Sequence, residues 1–305
     1  MTQQESSADH FNFDDLHKWC TYHESEVGDA IGAVQVMSPQ HRAPENFYYF
    51  KDNGSDILAV AHLDTVVSHE QRTAGILDTA GGQVVYSGSL DDRLGAYVLA
   101  DLLPAMGITF DLLLTVGEEN GQSTAEVFEP TRHHDREYKW IIEFDRGGTD
   151  VVLYQFEDED LRERVEATGA RVEQGIFSDI AFMEHLGVKA LNWGVGYRDY
   201  HSVRGHVWLD DLFKMVDHFL DFHETNKDTH LPHEVGTRGG RSGGYSWDGY
   251  SVAGATYFGD DDECEIAGWE ECEAEMWGVG DCEGPLSEDP ALGTLCEKHE
   301  QWANT

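Results

Sequence analysis

Residues 1 to about 225 alternate short apolar runs with helical patterns, and this alternation is what most constrains the fold. The runs include "DILAVAHL", "FDLLLTVGEE", "KWIIEFDR" and "ALNWGVGY". Each is apolar at consecutive positions rather than at every second one, which marks strands buried on both faces. Between them lie amphipathic stretches such as "LGAYVLADLLPAM" and "DIAFMEHLGV". The clearest helix is 210–224, where Leu212, Met215, Val216, Phe219 and Leu220 recur at helical spacing. Strands apolar on both faces need cover on both faces. The expected fold class is therefore α/β: a three-layer sandwich with a central, mostly parallel mixed sheet flanked by helices.

The rest of the chain reads differently. Residues 226–259 are rich in Gly and Ser and are expected to be a linker. Residues 260–305 form an acidic tail that holds four of the five cysteines. The whole chain carries a formal net charge of −39, with 59 Asp plus Glu against 20 Lys plus Arg. Binding nucleic acid or an anionic membrane needs clustered Lys and Arg, so neither is expected as a partner. The acids are spread along the chain, which suits solubility or salt adaptation better than a binding tail. No apolar run reaches the roughly 18–20 residues of a membrane helix, and the N-terminus lacks the basic start and apolar core of a secretory signal. A cytoplasmic protein is the expectation.

In an open α/β sheet, ligands bind beyond the carboxyl ends of the strands. The polar residues at those ends are of one chemical kind. "ILAVAHLD" ends in His62 and Asp64, "FDLLLTVGEENG" in Glu118 and Glu119, and "WIIEFDRGG" in Asp145. "ALNWGVGYRDYHS" delivers His201, and "SGSLDDRLG" places Asp91 and Asp92 just ahead of a helix. Singly, each has an ordinary explanation: a hydrogen-bonded core histidine, a helix N-cap, a solvated turn, a surface ion pair. Together those explanations leave unexplained why two histidines and several carboxylates end at one rim. Two His with three carboxylates suit Zn²⁺, and a shared carboxylate allows two metals about 3.5–4 Å apart.

"HLDTV", "LDDRLG", "GEENG", "EFDRGGTD" and "YHS", in that order, resemble the zinc-dependent exopeptidase superfamily of co-catalytic dizinc aminopeptidases, carboxypeptidases and aminoacylases. The "FSDIAFMEHLGVKALNWGVGYRDYHS" segment resembles the closing part of that family, and the resemblance covers roughly residues 55–225. It implies a phosphorylase/hydrolase-like sandwich and a division of labour. Asp91 bridges two Zn²⁺ ions, for which Co²⁺ or Mn²⁺ could substitute. His62 and Asp145 complete one site; Glu119 and His201 complete the other. Glu118 is the general base acting on a metal-bridging hydroxide. Asp64 holds the His62 imidazole in the tautomer that frees its other nitrogen. The resemblance also implies a cis peptide at Asp91–Asp92. The implied reaction is amide hydrolysis by an exopeptidase, most directly an aminopeptidase on short peptides. An N-acyl amino acid deacylase, a carboxypeptidase or a catalytically silent peptide-binding relative are the alternatives.

Larger relatives insert a further domain between ligands. Here His62 and Asp91 are 29 positions apart and Asp145 and His201 are 56 apart, too few for a domain of about 100 residues. Residues 1–225 should thus be a compact catalytic domain, monomeric or weakly oligomeric. Arg93, Arg146, Arg198, Ser178 and Asp179 are candidate substrate-binding residues. Arg146 faces solvent, Asp92 or a substrate carboxylate, with solvent favoured. In the tail, Cys264, Cys272, Cys282, Cys296 and His299 could hold one structural Zn²⁺. Only "CEKH" has tight ligand spacing, so two disulfides or spare thiols in an acidic tail stay open.

Overall fold

Four strands of largely apolar sequence form the centre of the molecule. The computed structural model describes residues 6–38 and 46–235. In chain order its first strands are β1 (Val34–Met37), β2 (Phe47–Lys51), β3 (Ile57–His62), β4 (Gly75–Thr79), β5 (Gly82–Tyr86) and β6 (Asp111–Thr115). There follow β7 (Trp140–Arg146), β8 (Val151–Val152), β9 (Val172–Glu173), β10 (Ala190–Gly194), β11 (Tyr197–Arg198) and β12 (His206–Trp208). The main sheet runs β1-β2-β6-β3-β7-β10-β8-β9. Its core pairs, β6 with β3, β3 with β7 and β7 with β10, are all parallel. Every residue of β3, β6 and β10 is buried. That is why these stretches read as continuous hydrophobic runs.

One face of the sheet is covered by helices. These include α1 (Ser7–His10), α2 (Phe13–Thr21), α3 (Glu24–Ile31) and α4 (Leu90–Tyr97). The last continues through a π turn into α5 (Leu103–Ala105); α6 (Glu159–Glu166) and α7 (Leu209–Asn226) follow. The helix expected over 210–224 is α7, slightly longer at both ends. Phe219 of α7 packs at 5.0 Å from Phe144 of β7 and 5.6 Å from Trp193 of β10. The Trp193 indole donates to the Met215 carbonyl and that of Trp140 to the Asn226 carbonyl. These aromatic side chains are fully buried, and truncating one to Ala in such a core costs about 3–5 kcal/mol. Phe11 packs on both Tyr97 of α4 and Phe213 of α7, so these two helices share the face.

The other face is covered by shorter helical elements. Glu143, next to Phe144 in β7, points the opposite way and accepts a hydrogen bond from Ser178. There the cover is made of short 3₁₀ turns at Thr124–Val127, Asp179–Phe182 and Glu184–Leu186. The "DIAFMEHLGV" stretch is therefore turns rather than an amphipathic helix.

A second sheet, β11-β12-β5-β4, is wholly antiparallel and was not foreseen. Tyr197, Val207, Val85 and Ile76 form one row across it, and the first three are buried. The linker boundary also shifts. Leu231 is buried and pairs by backbone hydrogen bonds with Lys139 and Lys189, while His233 packs on Phe156 at 4.8 Å. Residues 227–235 thus pack with the main sheet in one compact unit, because Leu231 and Pro232 precede the Gly-rich composition that begins at 236. The remainder of the linker and the tail residues Cys264, Cys272, Cys282, Cys296 and His299 lie outside the described residues. No helix among the described residues is long and apolar enough to cross a membrane.

Candidate metal centre

The carboxyl ends of β3, β6 and β7 bring the predicted residues to one rim. His62 closes β3, with its ring fully buried. Its Nδ1 lies 2.9 Å from the Asp64 main-chain carbonyl, so Nδ1 carries the proton and donates. Nε2 faces the acids, 3.1 Å from Asp91 Oδ1, 3.6 Å from Glu118 Oε2 and 3.9 Å from Asp145 Oδ1. Burial opposes a charge on the ring, yet these carboxylates hold it protonated in the metal-free chain, and Nε2 is the nitrogen that a metal would take in place of that proton. The expected role of the Asp64 side chain is corrected here. Its carboxylate is 3.7 Å from Nδ1 and instead accepts from the Glu119 backbone N–H at 3.1 Å. The tautomer is held by a peptide carbonyl, which the HxD spacing supplies with any residue at position 64.

Asp91 faces two ways. Oδ1 approaches His62, while Oδ2 lies 3.1 Å from His201 Nε2. The same His201 nitrogen is 3.1 Å from Glu119 Oε2. Among the described residues, two groups of donors converge closely enough to hold an ion: His62, Asp91 and Asp145, and Asp91, Glu119 and His201. Glu118 falls in neither. Asp91 and Asp92 begin α4 with non-helical backbone angles, and the peptide between them is cis. Asp92 caps the regular helix by accepting from Gly95 N–H. A Cβ on Gly95 would sit 2.2 Å from Asp92 Oδ1 and 2.6 Å from the Phe144 carbonyl, so only glycine lets α4 approach β7 this closely.

The electrostatics call for cations. Among the described residues, no Lys or Arg pairs with Asp91, Glu118, Glu119 or Asp145; their only charged partners are His62 and His201. Burial, and then the neighbouring acids Asp179, Asp91 and Glu119, push the Glu118 carboxyl up to about 8. Burial and nearby carboxylates likewise raise Asp92, Asp145 and Glu143 well above the usual carboxylate range. Burial works against the charge of Asp91, yet hydrogen bonds with His201 and His62 hold its pKa low. His201 is raised to about 10 by its hydrogen bonds to Asp91 and Glu119. The Glu119 Oε1 and Asp92 Oδ2 atoms are buried without a hydrogen-bond partner. Buried carboxylates with orphan oxygens, converging with two imidazole nitrogens, are a donor set that fits divalent metal.

This yields a pH dependence for the metal-free chain. An unfolded Glu titrates near 4.5, while folded Glu118 titrates near 8. Between these values the folded state binds a proton that the unfolded state has released, so stability falls as pH rises. His201 acts in the same sense: its contribution is complete below 6.5 and fades toward 10. The melting temperature of chelator-treated protein should therefore fall from pH 5 to pH 8, and metal-loaded protein should lose less over that window. A rise in melting temperature for the stripped chain would contradict this account.

Three predicted substrate-binding residues are fully buried. Arg93 has no exposed surface and donates to the Leu63 and Trp19 carbonyls and to Glu24. Ser178 and Asp179 are buried beneath the rim, donating to Glu143 and accepting from Thr115 respectively. Arg146 is not solvent-directed but pairs with Asp150 at 2.9 Å, and Arg198 pairs with Asp211 at 3.0 Å. Sequence reasoning missed Asn192 and Tyr197, which both bond Asp145. A polar Asn inside the apolar run "ALNWG" was the available signal for the first.

No family model matches the sequence, and no curated protein sequence does. A solved tripeptidase from Staphylococcus aureus matches with a TM-score of 0.51 and 11% identity, over 70% of this chain and 97% of its own. The chain has the fold of that peptidase. Aminopeptidase PepT from Bacillus cereus matches with a TM-score of 0.49 and 13% identity, over 72% of this chain and 98% of its own. A TET aminopeptidase from a Thaumarchaeota archaeon gives 0.46 and 13%, over 68% of this chain and 95% of its own.

Proposed function

We propose that this protein is a metal-dependent exopeptidase, an aminopeptidase acting on short peptides. The observation that carries the reading is the sharing of Asp91 between two donor sets, with Glu118 beside them and in neither. His62, Asp91 and Asp145 would hold one divalent ion and Asp91, Glu119 and His201 the other, with Zn²⁺ the first expectation. Bound there, two such ions acidify a water and polarise a carbonyl oxygen.

The side chains supply the rest. Glu118, beside both donor sets and in neither, takes a proton from the attacking water and returns it to the leaving amine. The main-chain carbonyl of Asp64 keeps His62 in the Nδ1–H tautomer, so Nε2 stays available. The choice of an amino-terminal substrate rests on charge. The arginines considered for a substrate carboxylate, Arg93, Arg146 and Arg198, are each engaged by an acid. A rim of carboxylates suits an ammonium group instead.

The test is a panel of aminoacyl anilides, N-acyl amino acids and carboxy-terminal dipeptides, assayed with added Zn²⁺, Co²⁺ or Mn²⁺. Hydrolysis of the free-amine anilides well above the blocked compounds is expected. Preference for N-acyl amino acids would transfer the reading to a deacylase. No hydrolysis of any class with two ions bound would leave a binding protein.

A further inference from the structure

Asp145 is held by hydrogen bonds at its backbone and its carboxylate, and the residues that hold it reach across to the other half of the centre. Its backbone is bracketed by Asn192 on the neighbouring strand: Asp145 N–H donates to Asn192 Oδ1 at 3.0 Å, and Asn192 Nδ2 donates to the Asp145 carbonyl at 2.8 Å. Its carboxylate accepts from the Tyr197 hydroxyl at 2.5 Å through Oδ1. Tyr197 is itself buried in β11, on the inner row of the second sheet. Its ring lies 5.3 Å from that of Tyr200, and the Tyr200 ring lies 4.8 Å from the His201 imidazole. Tyr200 rests on the turn that follows Asp145. A Cβ on Gly147 would come within 3.1 Å of the Tyr200 ring and of the Tyr197 carbonyl.

Asp199 and His201 take left-handed backbone angles, φ 49° and 60°. Residues with a Cβ seldom adopt that region unless their surroundings hold them there. The contacts named above are such surroundings, with the Ser202 hydroxyl donating to the Asp199 carbonyl at 2.6 Å as a further one.

We propose that Tyr197 is a positioning residue: its hydroxyl fixes the Asp145 carboxylate for metal, and its ring, through Tyr200, ties that half of the centre to His201. This rests on the metal-centre reading above. A carboxylate ligand that is already hydrogen-bonded loses less freedom when an ion arrives, and removing such a partner typically weakens metal binding about 10- to 100-fold. The second sheet thereby acquires a purpose. It carries Tyr197 at one point and launches the His201 loop at the other.

The experiment titrates the full, metal-stripped chain with Zn²⁺ against a chromophoric chelator, comparing wild type, Tyr197→Phe and Tyr200→Ala. Two binding steps in the wild type test the centre itself; fewer than two would overturn both readings. Given two, Tyr197→Phe should weaken one step about 10- to 100-fold and leave the other unchanged. Tyr200→Ala, at a half-exposed position where folding is not at stake, should weaken the other step. The melting temperature of each metal-free variant is the control. A Tyr197→Phe protein that melts lower but binds both ions as tightly as wild type would make Tyr197 a structural residue and overturn the proposal, as would Tyr200→Ala with both steps intact.

Discussion

Asp91→Ala should remove both metal ions and all measurable hydrolysis in one substitution. Asp91 is the residue common to the two donor sets, with Oδ1 3.1 Å from His62 and Oδ2 3.1 Å from His201. Its loss leaves each set with one imidazole and one carboxylate, too few to retain a divalent ion against a chelator. His201→Ala is the informative contrast, since it leaves His62, Asp91 and Asp145 whole. Metal analysis should give close to zero ions per chain for Asp91→Ala and close to one for His201→Ala. A metal centre contributes several kcal/mol of transition-state stabilisation, so turnover should drop by at least about a thousandfold in the first case. Two ions retained by Asp91→Ala would sink the shared-ligand reading.

How the sequence encodes this centre depends on distance along the chain. His62, Glu119 and Asp145 are legible because the strand-end rule needs only local information: an apolar run and the polar residues that close it. Asp91 at the start of α4 and His201 beyond β11 are picked out with the help of the motif resemblance. Their supports are not legible in that way. Arg93 looks like a free cation in "LDDRLG", yet its acid partner, Glu24, is 69 positions away on α3. No local pattern announces such a pair. The same holds for Tyr197, 52 positions from the Asp145 it bonds. The second sheet escaped for another reason. Its strands are two to five residues long, and β4 is largely exposed, so their periodicity is too brief to separate from turns. Asp64 shows a third kind of limit. The spacing identified the right residue, but the group that orients His62 is its backbone carbonyl, which every residue has.

Glu118→Gln should leave the metal content at wild-type level and lower kcat by about 10²- to 10⁴-fold, the usual contribution of a positioned general acid–base. The substitution preserves volume and hydrogen-bonding shape while removing the ability to take up a proton. Glu118 stands outside both donor sets, so the ions have no cause to leave. Its neighbour supplies the control: Glu119→Gln alters a donor, with its Oε2 3.1 Å from His201, and should cost one ion. The adjacent pair "EE" thus separates two functions by one peptide unit. Glu118 faces His62 at 3.6 Å while Glu119 turns toward His201, because Gly117 before them and Gly121 after them adopt left-handed angles that fold the segment into a 3₁₀ turn. KM should change little, since a proton acceptor acts on the chemical step rather than on ground-state binding. Wild-type turnover in Glu118→Gln would remove Glu118 from the mechanism. Loss of metal instead of turnover would make it a third donor to the His62 ion, and the base would have to be sought elsewhere on the rim.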